Sequence, residues 1–286
     1  MRTGVLLVHG MGEQSEQTFG VAFERALRPR LAGRGVRDGE VVFRRGYWAD
    51  LLNARERDLL AQAARGGPLD YRALRGFVVN ALGDAVAYRR APTGGRSLYD
   101  EVHDRLRDHL RALRVALGGV DAPVVVVAHS LGSVIVSDYA WDAQHPQTGR
   151  TPAATPFERL HTLAGLVTFG STLPLFTLAL PKVVAIAPPR VSPLLSPAVR
   201  AVARWENHYD PDDVLGWPLR TVEPLAPLAP GEHAYRDAVD VDRALRVGSV
   251  LTGWTPLSHT AYWDDRDFLD PAAAQIAAVA LAARGA

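Results

Sequence analysis

The chain has 286 residues, enough to bury the large core of a single α/β domain. Its 32 basic and 31 acidic residues almost cancel, which argues against the broad positive surface that nucleic-acid binding requires. The sequence contains no cysteine, which excludes disulfides, thiolate metal ligands and a cysteine nucleophile. We therefore expect one domain over residues 1–286 and no nucleic-acid partner.

The N-terminal residues and the longest uncharged stretch bear on location. Residues 1–8 lead into His9-Gly10 without the cleavage site of a secretory signal peptide, which favours a cytoplasmic location. The uncharged stretch at 160–181 has the length of a membrane span, but glycines and prolines interrupt it. We expect a strand and a loop there, and no integral membrane segment.

Short β-branched runs alternate with stretches of helical period, which is typical of a mostly parallel sheet with helices on both faces. The predicted strands are Val5 to Val8, Val41 to Arg45, Val124 to Ala128, Leu166 to Phe169, Ala201 to Asn207 and a last one near Val247 to Leu251. The predicted covering helices are Gln17 to Leu31, Ser97 to Leu117 and Pro271 to Ala283. Pro271 is placed at a helix start, where its missing N–H is harmless.

Two segments exceed what a minimal sheet needs. Residues 50–95 have a largely helical pattern, and residues 173–200 are rich in proline and leucine with little charge. Both are interpreted as insertions that could cap a pocket. The apolar character of 173–200 is equally compatible with a packed connection.

The most informative motif is Ala128-His129-Ser130-Leu131-Gly132. A fully apolar run at 124–127 precedes it, and residues 133–136 can begin a helix. In a strand, sharp turn and helix of this kind, the serine hydroxyl projects above the sheet and the helix N–H groups face developing negative charge. We predict that Ser130 is a nucleophile; the alternative is a serine that only caps the helix.

With this motif, the sequence resembles the α/β-hydrolase superfamily, and its serine esterases and lipases in particular. The resemblance rests on 6–12 near the start, on the turn at Ser130, where Ala128 replaces the usual first glycine, on 168–171, and on two later motifs at 204–219 and 258–263. It implies an α/β-hydrolase fold and a catalytic order of Ser, Asp and His.

Acyl transfer needs two preorganised N–H donors for the carbonyl oxygen. The resemblance implies that one is the N–H of Leu131 and that the other lies in His9-Gly10-Met11-Gly12, for which we choose Met11. Gly10 and Gly12 would let the backbone approach the substrate. We also expect His9 and His129 to lie in the substrate-binding site. The alternative is that the glycine-rich residues 9–12 form a turn that only reverses the chain after the first strand.

The family's acid-bearing turn resembles the segment that ends in Asp213-Val214-Leu215-Gly216-Trp217-Pro218-Leu219, which favours Asp213 as the acid. Asp210 and Asp212 remain open, as does a solvated acidic turn. The base is expected after the last strand and before the terminal helix, where His259 lies. His233 and His208 are its competitors.

These residues predict a serine hydrolase that cleaves a small-molecule carboxylic ester through an acyl-enzyme. An acyltransferase or amidase on the same three residues, a binding module without turnover, and a lipid binder using 173–186 are the alternatives. We expect no metal, because His103 and His109 point to different faces of a helix, and no other cofactor. The sequence does not indicate an oligomeric state.

Overall fold

The computed structural model describes residues 1–11, 15–65, 83, 86–89, 95–146, 155–248 and 258–285, with the backbone alone at 53–57 and 63–64. Gly12 and most of the predicted insertion at 50–95 lie outside the described residues.

Six strands of the described residues form one sheet in the order β2-β1-β3-β4-β5-β6, and all their pairings are parallel. They are β1 (Thr3–Val8), β2 (Val41–Gly46), β3 (Val124–His129), β4 (Leu163–Phe169), β5 (Arg204–Tyr209) and β6 (Val241–Ala244). This confirms the predicted parallel α/β class. The order also places β1 between β2 and β3, so the chain leaves β1 in one direction along the sheet and later returns to its other side.

The helices are α1 (Val21–Gly33), α2 (Asp50–Arg65), α3 (Leu98–Ala116), α4 (Leu131–Gln144), α5 (Leu173–Thr177), α6 (Pro197–Val202), α7 (Tyr235–Ala238), α8 (Ser258–Ala261) and α9 (Arg266–Arg284). Two 3₁₀ turns occupy Pro189–Val191 and Tyr262–Asp264. The amphipathic helix α3 begins at a capping box in which Ser97 and Asp100 bond each other's main chain.

Alternate side chains of the strands point to opposite faces of the sheet, and each face has its own core. Leu6, Val124 and Val126 pack beneath α3 and α4, whereas Val5, Val125 and Val127 pack beneath α1 and α9. The valine run of β3 is buried on both sides, as expected of a central parallel strand.

Several predicted boundaries are wrong. The first helix begins at Val21 rather than Gln17. The strand predicted at 201–207 runs from Arg204 to Tyr209, because residues 197–202 form α6, whose N-terminus is capped by Ser196. The strand predicted near 247–251 is found at 241–244 instead, and residues 249–251 lie outside the described residues.

The predicted start of the last helix at Pro271 is also wrong. Helix α9 begins five residues earlier at Arg266, where the Asp265 side chain accepts a hydrogen bond from the N–H of Asp267. Pro271 therefore lies inside the helix, in its second turn. Among the described residues, no helix combines the length and apolar character needed to cross a membrane.

Candidate active site

The predicted site residues gather at the carboxyl edge of the sheet. Gly10 and Met11 follow β1, Ser130 follows β3, and Asp213 follows β5. β1 and β3 are neighbours, but the chain runs from β1 to one side of the sheet and from β3 to the other. Parallel α/β sheets bind ligands at such a switch point.

Ser130 joins β3 directly to α4 in a strained backbone conformation. Its φ of 53° and ψ of −128° place a side-chain-bearing residue in a region that favours glycine. Its N–H donates to the Phe169 carbonyl over 3.1 Å, and its own carbonyl accepts from the N–H and the hydroxyl of Ser133. These bonds fix the main chain of Ser130 on both sides, and Ser130 lies at the N-terminal end of α4.

The structure brings Ser130, His259 and Asp213 together in one hydrogen-bonded series. The Nε2 atom of His259 lies 2.7 Å from Ser130 Oγ, and its Nδ1 atom lies 3.0 and 2.9 Å from the two carboxylate oxygens of Asp213. With the proton on Nδ1, His259 donates to Asp213 and can accept the serine proton on Nε2. All three residues are buried.

Asp213 is distinguished from its neighbours by its surroundings. Burial alone would raise the pKa of Asp213, but hydrogen bonds from His259, the Leu215 N–H and the Tyr262 hydroxyl outweigh it, and the pKa lies below its ordinary value. The carboxylate of Asp210 instead accepts the N–H groups of Asp212 and Val247. Of the three candidate aspartates, Asp213 therefore has the carboxylate that contacts His259.

The loop after β1 lies against the serine turn. A Cβ atom added to Gly10 would lie 2.3 Å from Ser130 Cβ, and one added to Gly132 would lie 2.5 Å from the His9 carbonyl oxygen. Only glycine fits at either position. Leu131 is the first residue of α4, where N–H groups have no partner within the helix, and Met11 follows Gly10 in the loop. Gly12 lies outside the described residues.

His9 and His129, both predicted in the binding site, are buried and have main-chain partners. His9 Nδ1 donates to the Gly10 carbonyl over 2.8 Å and Nε2 accepts the Trp48 N–H over 3.1 Å. His129 Nε2 donates to the His259 carbonyl over 2.6 Å. Burial lowers the pKa of His9 to about 4 and that of His129 to about 3, so both rings are neutral at pH 7.

The competing histidines do not contact Ser130. His208 is fully buried and its Nε2 lies 3.3 Å from Glu206 on the same strand, while the main chain of His233 forms a bridge with Ala185. On α3, His103 contacts Tyr88 and His109 contacts the Tyr47 carbonyl. Within the described ranges, no three His, Cys, Asp or Glu side chains are arranged to hold a metal ion.

Tyr262 and Trp48 are site residues to which the sequence assigned no role. The Tyr262 hydroxyl donates to Asp213 Oδ2 over 3.0 Å and accepts the Asp210 N–H over 2.8 Å. Burial and the nearby carboxylate raise the pKa of Tyr262 far above its ordinary value, so the hydroxyl keeps its proton. The position of Tyr262, three residues after His259, was the only indication available in the sequence.

The segment 173–200 divides into two parts. Val183, Ala185 and Ile186 are buried, and α6 packs against α9, so the later part belongs to the covering layer. Leu175, Leu178 and Leu180 in the first part are exposed. The Trp217 N–H donates to the carbonyl of Ser171, two residues before this segment, and thereby joins the chain that enters it to the turn that carries Asp213.

Comparison of the chain with models of known protein families, with curated proteins and with solved structures finds no match.

Proposed function

We propose that this chain is a serine hydrolase of the α/β-hydrolase type that cleaves a carboxylic ester through an acyl-enzyme. The observation that carries the proposal is the series from Ser130 Oγ through His259 to Asp213, with separations of 2.7 and 2.9 Å. A serine hydroxyl is a weak nucleophile until a base takes its proton, and the base needs a carboxylate that fixes its tautomer. Both requirements are met here.

In the proposed reaction, Ser130 Oγ attacks the ester carbonyl while His259 Nε2 takes the hydroxyl proton. Asp213, charged and hydrogen-bonded to Nδ1, stabilises the imidazolium. The N–H groups of Met11 and Leu131 bind the tetrahedral oxyanion. His259 then gives its proton to the leaving alkoxide, and the acyl-enzyme forms. Water, deprotonated by His259, attacks the acyl carbon, and Ser130 recovers its proton as the acid leaves.

The topology supports the α/β-hydrolase assignment. The serine lies between strand and helix at the sheet's switch point, the acid follows β5, and the base follows β6, which is the chain order Ser, Asp and His. The strained φ of Ser130 and the close approach of Gly10 and Gly132 are what a nucleophile turn beneath an oxyanion loop requires.

The proposed substrate class follows from the apolar surface beside the Asp213 turn. Val214 and Trp217 on that turn are exposed, as are Leu175, Leu178 and Leu180 on the segment joined to it through Ser171. If an acyl chain covered part of this surface, each Å² of apolar area removed from water would contribute about 25 cal/mol to binding. An ester with an apolar acyl group therefore suits the site better than a charged substrate.

A fluorophosphonate probe tests the proposal, since it reacts with serines activated by a base. We expect one equivalent of label on the folded wild-type protein, none on Ser130→Ala, and full labelling of Ser137→Ala, a control that removes a buried serine from the middle of α4. Aryl esters of increasing acyl length should be hydrolysed only by the labelled proteins. Folded wild-type protein that takes no label, or equal labelling of Ser130→Ala, would refute the mechanism.

A further inference from the structure

The loops that follow β1 and β2 are joined by Trp48 and His9. The Trp48 main-chain N–H donates to His9 Nε2 over 3.1 Å, and the Trp48 indole N–H donates to the His9 carbonyl oxygen over 3.1 Å. The two rings are stacked, with centroids 5.0 Å apart and planes 8° from parallel. Both side chains are buried, so water does not compete for these bonds.

The His9 carbonyl oxygen is held from two sides. The Trp48 indole N–H bonds it on one side, and on the other it lies so close to Gly132 that a Cβ atom there would be 2.5 Å away. Gly132 belongs to the first turn of α4, directly after Ser130 and Leu131. The indole therefore determines how the peptide that enters Gly10 lies against the serine turn.

A side chain of helix α3 fixes the main chain directly before Trp48. His109 Nε2 donates to the Tyr47 carbonyl over 2.9 Å, and its Nδ1 accepts from Arg44 Nε over 3.3 Å. The main chain that carries Trp48 is thus fixed by a buried side chain of another element. Because Gly10 has no side chain to restrict its backbone, the orientation of its peptide groups depends on contacts with these neighbouring residues.

We propose that Trp48 is a positioning residue that, through the His9 carbonyl, fixes the Gly10-Met11 peptide above Ser130. The inference rests on the proposed function, in which the Met11 N–H binds the oxyanion. Such a donor acts only when it lies about 3 Å from the developing charge, and small displacements of a donor cost large factors in rate. Loss of the indole N–H should therefore weaken binding of the transition state more than binding of the ester.

Trp48→Phe removes the indole donor and keeps an aromatic ring over His9. We expect kcat on an aryl ester to fall about 10- to 100-fold per labelled site, with KM within about twofold of wild type. The inhibition constant of an alkyl trifluoromethyl ketone, whose serine adduct carries an oxyanion, should rise by the same factor as kcat/KM falls. A purely structural role would change the amount of folded protein and leave these constants unaltered.

Trp205→Phe is the matched control. Trp205 is fully buried on β5, and its indole N–H donates to Thr168 Oγ1 over 3.0 Å, away from the oxyanion loop. Its loss should reduce stability while kcat per labelled site stays within about twofold of wild type. An equal loss of kcat in both variants would overturn the proposal.

His9→Asn removes the acceptor of the Trp48 N–H while an amide can still donate to the Gly10 carbonyl, and it provides a second route if Trp48→Phe does not fold. Reduced kcat with a matching loss of ketone affinity in the variant that folds supports the inference. Unchanged kcat per labelled site overturns it, although the proposed function would stand. Wild-type protein that takes no label overturns both.

Discussion

On the Ser130 side of the candidate site, main chain packs directly against main chain, and Gly10 and Gly132 leave no room for a methyl group. On the Asp213 side, the parts lie in turns and short helices and are held by side-chain hydrogen bonds, through Tyr262 to Asp213 and through His129 to the His259 carbonyl. The first side depends on shape and the second on donors and acceptors. Substitutions should therefore fail for steric reasons on one side and for electrostatic reasons on the other.

The largest effect is expected from Asp213→Asn. The amide cannot hold the Nδ1 proton of His259 as the carboxylate does, so the wrong tautomer is favoured and kcat should fall about 10⁴-fold. Asp210→Asn is the control, because within the described part of the chain its side chain accepts the N–H groups of Asp212 and Val247 and no histidine. Steady-state hydrolysis of an aryl ester measures both. A larger loss in Asp210→Asn would show that the acid is assigned to the wrong aspartate.

On the steric side, Gly10→Ala should lower kcat about 10²-fold or more. The new methyl group would lie 2.3 Å from Ser130 Cβ, so the loop must withdraw and carry its N–H away from the oxyanion. Gly33→Ala, at the end of α1 with open space around it, should leave kcat unchanged. Kinetics per fluorophosphonate-labelled site separate the rate from the yield. Normal kcat in Gly10→Ala would contradict the close contact.

Tyr262→Phe should have a smaller effect, about tenfold on kcat/KM at pH 7. Removal of the hydroxyl takes a hydrogen bond from the Asp213 carboxylate and raises the pKa of Asp213, which should move the acid limb of the pH profile to higher pH. Tyr139→Phe, which removes a buried hydroxyl bonded to the Glu158 carbonyl, is the control. An unshifted acid limb would mean that Tyr262 only packs.

Each side also contains a buried histidine whose pKa the fold lowers, and this predicts how stability depends on pH. The pKa of His9 is about 4 and that of His129 about 3 in the fold, against an unperturbed value near 6.5. Between pH 6.5 and 4 the unfolded chain binds more protons, so stability is lost as pH falls through this range. Each ring contributes up to about 1.4 kcal/mol per pH unit.

Urea denaturation at pH 7, 6 and 5 checks this expectation for His129→Asn and His9→Asn. Each variant should show a pH slope that is shallower than that of wild type, by about half of 1.4 kcal/mol between pH 7 and 6 and by nearly all of it between pH 6 and 5, whatever its stability at pH 7. Parallel slopes for wild type and variant would mean that the ring in question is not kept neutral by the fold.

The central strands and Ser130 could be predicted from the sequence, because buried valine runs and the serine turn are local patterns. Asp213 and His259 were predicted through the resemblance to the α/β-hydrolase superfamily, which implies the order Ser, Asp and His. Strand β6 was misplaced, since its four residues at the sheet edge are partly exposed and include Asp242 and Arg243, which gives no apolar period. The hydroxyl of Tyr262 and the indole of Trp48 act across 49 and 39 residues of chain. Such partners follow from tertiary packing, and spacing alone does not indicate them.

The left-handed backbone torsion of Ser130 sets the stability of the fold against the proposed chemistry. A serine in that conformation stores about 1–3 kcal/mol that glycine would release. The residue on which the proposed chemistry depends is therefore one at which folding favours a different amino acid. Ser130→Gly should unfold at higher urea than Ser130→Ala, and a lineage released from selection for turnover would gain stability by losing its nucleophile.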